Sequence, residues 1–375
     1  DEGPGLSGSS FGSVADWLEE RGIPLERIAF ICSHAGEPGP EAPVRHRRRW
    51  SRVQRSAASF GAELADVVRP WVEERMGSPV TSIADISGGV WRKLQQLDVG
   101  EWPAANPALE RRKFLLRVNG NQLVARFAGL GEEGERKLQI ARELHRLGYG
   151  PAPIDLIHGF VVEEWHGDAR PVDAGAISAG ELSRYIAARA ALPLPRPGAT
   201  LEDLHRMLCR NAELLLGQGA ATAADRWRPL LQRLQQRVVP ACTDNRLDRC
   251  EWLRRTDGSL IKMDAVDHHA AHDLIGCQDL AWDVVGAAVE FELDDAQTQS
   301  LASLTAAAAG RAVDAKLLEY LHLAYLAFRG GQAAMARNMT CSADEVRWLA
   351  RQRSYAKRLN QGLLEERNSA TRGFA

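Results

Sequence analysis

A polar segment, residues 242–290, interrupts the second half of the chain, where leucine otherwise recurs at helical spacing. Asp257-Gly258 within it is a strong hairpin signal, because this dipeptide tolerates the positive φ of a tight turn. Asp244 follows an apolar run, and the strand predicted over Ser259–Met263 leads directly into Asp264. The hairpin therefore brings two carboxylates, 20 residues apart in sequence, to the ends of adjacent short strands.

A pair of carboxylates in this arrangement suits phosphoryl transfer. One can orient an attacking hydroxyl and accept its proton, while the other binds Mg²⁺, which neutralises charge on the transferring phosphate. Mg²⁺ prefers oxygen ligands, which acidic side chains supply. The polar segment is thus the strongest candidate for a reactive site.

The region before the helical half reads as strands with one helix. Strand-like runs occupy Val80–Leu97 and Lys113–Phe127, and the second contains the hairpin signal Asn119-Gly120. A helix is predicted over Glu132–Leu147, which has apolar residues on one face, and another strand over Phe160–Trp165. The pattern predicts an α+β chain in three parts, with boundaries at 1–78, 79–168 and 169–375.

Over roughly residues 80–365 the sequence resembles the aminoglycoside phosphotransferase/choline kinase family. Asp244, Asp264 and Asp279-Leu280-Ala281 match that family's catalytic-loop Asp, metal-binding Asp and helix-opening turn, in that order. The resemblance implies a bilobal protein-kinase-like fold, with a small β-rich N-lobe at 79–168 and a helical C-lobe at 169–375. Asp283, inside the helix that this turn opens, is expected to be structural, as a cap or loop anchor.

The resemblance also implies an activity, an ATP- and Mg²⁺-dependent phosphotransferase acting on a hydroxyl of a small polar molecule. Asp244 would be the base and Asp264 the main metal ligand. Glu251 is preferred as the second ligand, over Asn245 and Asp248. Residues expected to bind the nucleotide lie in a glycine loop, the hairpin, the following helix and a hinge at 161–165; they are Gly88, Gly89, Arg126, Glu135, Glu163, Glu164 and Trp165. Glu135 on the helix is the expected partner of Arg126.

Three departures from the family pattern bear on activity. Cys242-Thr243 stands where the family reads His-Gly, Arg249 where it has Asn, and Arg126 where it has Lys, whose compact ammonium a guanidinium does not reproduce. A non-catalytic, pseudokinase-like nucleotide-binding domain is therefore the first alternative. The second is a metal-dependent phosphohydrolase that uses a His-rich turn, with His268, His269, His272 and Asp273.

The first ten residues, DEGPGLSGSS, resemble the phosphoribosyl-pyrophosphate loop of type I phosphoribosyltransferases. Small residues that open a helix bind phosphate through backbone N–H groups. We expect a partial α/β Rossmann-like module over 1–78, truncated at its N-terminus because the upstream strands are absent, with Arg45–Arg55 as a solvated basic helix face. Its phosphoribosyl pyrophosphate contacts would be Asp1, Glu2, Ser7, Gly8, Ser9 and Ser10.

Composition narrows the partners. Lys+Arg total 47 against 49 Asp+Glu, a net charge of −2, which makes nucleic acid an unlikely partner. No apolar run reaches the length of a membrane helix, and the six scattered cysteines predict reduced thiols in the cytoplasm. Because only six of the basic residues are lysines, a phosphate-binding lysine has few candidates.

Overall fold

The structure, a computed structural model, divides into two compact units, Asp1–Trp71 and Val72–Ala375. It describes residues 8–32, 36–39, 41–57, 63–95, 98–106, 110–173, 175–194, 196–270, 275–339 and 343–372. The helices are α1 (Ser9–Glu20), α2 (Val44–Trp50), α3 (Glu63–Met76), α4 (Gly131–Arg146), α5 (Ala179–Ala190), α6 (Leu201–Leu216), α7 (Ala220–Ala224), α8 (Arg228–Gln235), α9 (Leu280–Glu290), α10 (Asp295–Ala309), α11 (Ala315–Asn338) and α12 (Ala343–Arg372). The strands are β1 (Ala29–Cys32), β2 (Gln54–Ala57), β3 (Val80–Asp85), β4 (Lys113–Val118), β5 (Asn121–Phe127), β6 (Pro153–Ile157), β7 (Phe160–Glu164), β8 (Arg170–Pro171), β9 (Trp252–Arg254) and β10 (Leu260–Lys262).

In the N-terminal unit, β1 and β2 pair in parallel. Phe30 on β1 packs against Phe11 and Trp50, with ring centroids 4.9 and 5.4 Å away. Gly8 caps α1, and Ser9 and Ser10 begin it. Asp1, Glu2 and Ser7 lie outside the described residues, so the phosphoribosyltransferase-like module stays a prediction.

The basic stretch at 45–55 is only partly the solvated helix face that we expected. Helix α2 ends at Trp50, and β2 begins at Gln54. Arg49 is buried, and its guanidinium lies 2.5 Å from Asp16 and 2.6 Å from Glu19 on α1. Strand β2 could not be expected from the sequence, since its four residues are all exposed and show no apolar alternation.

The β-rich part of the second unit is an antiparallel sheet in the order β3-β4-β5-β7-β6. The predicted hairpin is confirmed, because Asn119 and Gly120 join β4 to β5 with φ values of 50° and 79°. Helix α4 packs against β6 and β7. One cluster of buried side chains joins Ala141 and Leu144 of α4 to Cys242 and Trp252 of the polar segment, so both face one apolar core.

The helical part is built around α9, in which every residue from Leu280 to Val289 is buried. Asp279 caps this helix by accepting the Ala281 N–H at 2.9 Å, as predicted for the Asp-Leu-Ala turn. The second hairpin is also confirmed, because β9 and β10 pair antiparallel around Asp257-Gly258. No helix among the described residues is long and apolar enough to cross a membrane.

A close backbone approach places α4 on the loop that follows β5. A Cβ at Gly134 would overlap the Gly129 carbonyl oxygen, whereas a Cβ at Gly180 on α5 would meet nothing nearer than 3.6 Å. We expect Gly134→Ala to lower the free energy of unfolding by about 1–3 kcal/mol. Gly180→Ala, the matched control, should raise it by about 0.4–1 kcal/mol. Urea denaturation measures both, and equal effects would show that the approach carries no strain.

Candidate active site

The loop that carries Asp244 is held by a carboxylate from the first turn of α9. Asp283 accepts the backbone N–H groups of Asp244 and Asn245, at 2.7 and 2.9 Å. Asn245 has a φ of 72°, which turns the chain sharply after Asp244. Burial, together with the nearby charge of Asp244, raises the pKa of Asp283 to about 6. Asp283 is thus the loop anchor that the sequence predicted.

The side chain of Asp244 is fully buried among three polar groups. Its Oδ1 lies 2.9 Å from Nδ1 of His268, and its Oδ2 accepts the Tyr185 hydroxyl and lies 3.5 Å from Nζ of Lys262. Burial by itself would raise the pKa of Asp244, but Lys262 and His268 outweigh it and hold the pKa far below its usual value. Asp244 is therefore a carboxylate with both oxygens already engaged.

Asp264 and Glu251, the predicted metal ligands, come together as expected, and His268 joins them. One ligand atom from each of the three lies within 4.8 Å of the others. Nε2 of His268 is 3.8 Å from Oε1 of Glu251 and 4.0 Å from Oδ2 of Asp264. Oδ1 of Asp264 is buried without a hydrogen-bond donor, so the donor set and an orphaned oxygen both fit a divalent cation.

Two of the six lysines in the chain lie beside these carboxylates, and a third pairs with the neighbouring Asp267. Nζ of Lys262 lies 2.5 Å from Oε2 of Glu251, and Nζ of Lys113 lies 4.0 Å from Asp264. The third is Lys137. Burial lowers the pKa of Lys262, but the carboxylates of Asp244 and Glu251 hold it above its usual value. The sequence reasoning missed these lysines as site residues, although the scarcity of lysine was a signal.

Negative charge exceeds positive charge in this cleft. The mostly buried ion-paired side chains of this cleft comprise six carboxylates, four lysine or arginine groups and the His268 imidazole. The carboxylates are Glu110, Glu163, Asp244, Glu251, Asp264 and Asp267, and the lysine and arginine groups are Lys113, Arg126, Lys137 and Lys262. The excess of carboxylates over lysine and arginine groups favours a further cation, because buried negative charge that is not fully compensated is costly.

Arg126 occupies the cleft, but not with the partner that we predicted. Its Nη1 lies 2.5 Å from Asp267, and Asp264 and Glu163 lie 3.9 Å away. Glu135, the predicted partner, is exposed, and Lys137 instead reaches Asp267 at 2.7 Å. The helical period explains the difference, because position 135 faces away from the side of α4 that carries Lys137, Leu138 and Ala141.

The predicted glycine loop forms a left-handed turn after β3. Gly88 and Gly89 have φ values of 63° and 80°, and the Gly89 N–H donates to Oε2 of Glu110 at 2.7 Å. A Cβ on Gly89 would lie 2.7 Å from the guanidinium of Arg92 and 2.8 Å from Ala105. The turn therefore needs glycine both for its backbone conformation and for this packing.

Arg92 ties this connection to the C-terminal helices. Its guanidinium pairs with both oxygens of Asp344 on α12, at 2.7 and 3.0 Å, and donates to the Pro103 carbonyl at 2.8 Å. Nε1 of Trp348 on α12 donates to the Ala105 carbonyl at 3.2 Å. Arg92 and Ala105, both between β3 and β4, are thus bonded to α12.

The predicted hinge lies at the end of β7. Glu163 is buried and lines a cleft with Arg126, Asp264 and other residues. The N–H of Glu164 donates to the Ala152 carbonyl at 3.0 Å, and that of Trp165 to the Gln122 carbonyl at 3.1 Å. These two donors are engaged within the protein, so their adenine-binding role stays a prediction.

The other candidates for the second metal ligand have partners elsewhere. Asp248 pairs with both Arg329, at 2.8 and 2.9 Å, and Arg351. Nδ2 of Asn245 donates to the Gly276 carbonyl at 2.7 Å. Arg249, where the family has Asn, is exposed. Glu251 is therefore the candidate that the geometry favours.

Two further clusters contain residue types that can bind metal. In the His-rich turn, His268 and His269 are buried, whereas His272 and Asp273 lie outside the described residues. On α6, His205 and Cys209 approach Asp225, with Nε2 of His205 3.1 Å from Asp225 and 3.6 Å from Sγ of Cys209. The sequence reasoning did not single out the α6 cluster.

No protein-family model and no curated protein sequence matches this chain. Solved structures do. Choline kinase LicA from Streptococcus pneumoniae is 13% identical, with 81% of this chain and 100% of that chain covered and a TM-score of 0.54. LicA in complex with AMP is 13% identical, with 79% and 99% covered and a TM-score of 0.51. Macrolide 2'-phosphotransferase type I is 13% identical, with 79% and 97% covered and a TM-score of 0.47.

The chain shares the fold of choline kinase. The predicted kinase-like fold is thereby confirmed, with helix and sheet combined as expected, while the division into lobes at 79–168 and 169–375 stays a prediction. At 13% identity the likeness concerns the fold, so activity has to be argued from the cleft itself.

His269 should make the fold sensitive to acid. Neither of its buried ring nitrogens has a hydrogen-bond partner among the residues that the structure describes, and burial with the nearby charge of Arg189 lowers its pKa from 6.5 to about 3. At a pH between these two pKa values only the unfolded chain binds the proton, so the free energy of unfolding falls as the pH falls. His269 alone should lower the free energy of unfolding by about 2 kcal/mol between pH 7 and pH 5.

The comparison of wild type with His269→Leu isolates this contribution. The raised pKa of Asp283 acts with the opposite sign, since its carboxyl binds a proton more readily in the folded state, but it is common to both proteins. We expect the variant to lose less stability than wild type between pH 7 and pH 5, measured by urea denaturation. Parallel losses would contradict the assignment.

Proposed function

We propose that this chain is an ATP-dependent phosphotransferase that acts on a hydroxyl of a small polar molecule. The observation that carries the proposal is the convergence of Asp244, Asp264 and Glu251 in one cleft with Lys113, Lys262 and Arg126. The shared fold adds support, because the solved choline kinase binds AMP in one of its structures. The residues at 79–168 would form the nucleotide lobe, and those at 169–375 the acceptor lobe.

The chemistry divides among these groups. Asp264 and Glu251 would hold a divalent cation, predicted as Mg²⁺, which supplies charge neutralisation at the phosphates. Lys113 and Arg126, both close to Asp264, are placed to bind phosphate oxygens. The acceptor oxygen would form a bond to the γ-phosphorus as the bond from phosphorus to the β–γ bridging oxygen breaks, releasing ADP.

Asp244 is the proposed acceptor of the hydroxyl proton. Its Oδ2 holds the Tyr185 hydroxyl and its Oδ1 holds His268 in this structure. An acceptor hydroxyl would therefore have to replace the Tyr185 hydroxyl on Oδ2 before the proton could transfer. Lys262, 3.5 Å from Oδ2, would keep the carboxylate charged until then.

The enclosure of Asp244 also supports a second candidate, a nucleotide-binding domain without transfer activity. Both oxygens of the candidate base are engaged, and the exposed Arg249 supplies no ligand where the family has Asn. The two candidates share a nucleotide site and differ in turnover.

Substitution of Asp264 tests the transferase. Asp264→Asn keeps the shape of the side chain but removes the charge, so turnover should fall about 100-fold or more, equivalent to about 2.7 kcal/mol of transition-state stabilisation. The measurement is ADP release with a panel of amino alcohols, sugars and aminoglycosides. Asp257→Asn, in the exposed turn of the same hairpin, is the matched control and should keep wild-type turnover. Undiminished ADP release by Asp264→Asn would refute the metal assignment.

Thermal melting with Mg-ATP separates the two candidates. A ligand at about 100 times its Kd stabilises the folded state by about 2.7 kcal/mol, so the melting temperature should rise. A rise together with ADP release supports the transferase, and a rise without release on the whole panel supports the non-catalytic domain. No rise at millimolar Mg-ATP would refute both.

A further inference from the structure

His268 has one ring nitrogen satisfied and the other aimed at carboxylates. The side chain is only 4% exposed, and Nδ1 lies 2.9 Å from Asp244. Among the described residues, Nε2 has no partner at hydrogen-bond distance. It points between Glu251 and Asp264, at 3.8 and 4.0 Å. In the neutral imidazole the Nε2 lone pair faces two carboxylates, an arrangement that a cation bound between the three groups would stabilise.

The separations from His268 fit one ion shared with each carboxylate. Bonds from nitrogen or oxygen to a first-row metal are about 2.0–2.2 Å, so two ligands of one ion lie no more than about 4.4 Å apart. Nε2 of His268 lies within this limit of Oε1 of Glu251 and of Oδ2 of Asp264, and the three ligand atoms lie within 4.8 Å of one another. Oδ1 of Asp264, the oxygen that does not face His268, is buried without a hydrogen-bond partner among the described residues and lies 3.9 Å from Nη1 of Arg126.

Neighbouring side chains orient two of these candidate metal ligands, His268 and Glu251. The Asp244 carboxylate accepts from Nδ1 of His268, which fixes the tautomer whose Nε2 carries a lone pair; metal-binding histidines commonly have such a carboxylate partner. Lys262 engages Oε2 of Glu251, whereas Oε1 is the oxygen that faces His268. The lysine therefore neutralises one oxygen and leaves the other for a metal.

We propose that Glu251, Asp264 and His268 bind a first-row transition-metal cation in preference to Mg²⁺, with Asp244 orienting the imidazole. Mg²⁺ takes oxygen ligands and keeps much of its water, whereas imidazole nitrogen suits transition metals. The inference rests on the proposed function only for what the ion does, because binding of the ion requires neither nucleotide nor acceptor.

The test is metal binding by the full chain after chelator treatment, with Mn²⁺ alone as the probe. We expect one Mn²⁺ per chain, bound at least about tenfold more tightly than Mg²⁺ in a competition titration. His268→Gln should weaken Mn²⁺ binding by about 10- to 100-fold while changing Mg²⁺ binding little. Asp264→Asn should weaken both. His145→Gln, at an exposed histidine on α4, is the matched control and should bind like wild type.

Two measurements separate coordination by His268 from misfolding of a variant and from binding at the α6 cluster. Pulsed electron paramagnetic resonance of the Mn²⁺-loaded wild type should show the coupling of a directly bound imidazole nitrogen, a readout that needs no variant to fold. His205→Gln removes the α6 cluster and should leave the signal intact. Equal affinities for Mn²⁺ and Mg²⁺, absence of the nitrogen coupling, or its loss in His205→Gln would each overturn the proposal. Failure of ADP release alone would bear only on the phosphotransferase.

Discussion

Two hydrogen bonds from backbone N–H groups to Asp283 determine where the reactive side chains lie. Asp283 lies in the first turn of α9, a helix in which every residue from Leu280 to Val289 is buried, and it accepts the N–H groups of Asp244 and Asn245. Because α9 cannot shift without disturbing the core, the loop inherits the rigidity of the helix. The position of Asp244, and through it that of His268, follows from this anchor.

The second constraint is charge compensation. Gathering carboxylates in a buried cleft is costly, and the chain offsets this cost with basic residues from separate elements: Lys113 on β4, Arg126 on β5, Lys137 on α4 and Lys262 on β10. Three of these lie in the β-rich part and one in the polar segment, so the ion pairs also hold the two parts together. Acidic groups still outnumber basic ones, which is the electrostatic reason to expect a cation.

The parts of the site that could be predicted from sequence depend on local patterns. The hairpin at Asp257-Gly258 brings Glu251 beside Asp264, because the two residues flank its paired strands. Contacts between distant elements could not be predicted in this way. The partner of Arg126 is Asp267, 141 residues away in sequence. On α4, Glu135 is exposed although its neighbour Gly134 is buried, so a small error in the predicted orientation of the helix selects the wrong residue. The polar strand β2 left no periodic signal.

The enclosure of Asp244 connects the two proposals. A carboxylate with both oxygens engaged is poorly placed as a free base, but it is well placed to orient His268, whose other nitrogen faces Asp264 and Glu251. The Tyr185 hydroxyl donates to Oδ2, and an acceptor hydroxyl that replaced it there would reach the carboxylate. Asp244 can therefore fix the metal ligand through Oδ1 and accept a proton through Oδ2, because the two tasks use different oxygens. On this view Cys242-Thr243 before Asp244 and Arg249 after it are compatible with activity, since His268 would supply a ligand beside Glu251 and Asp264.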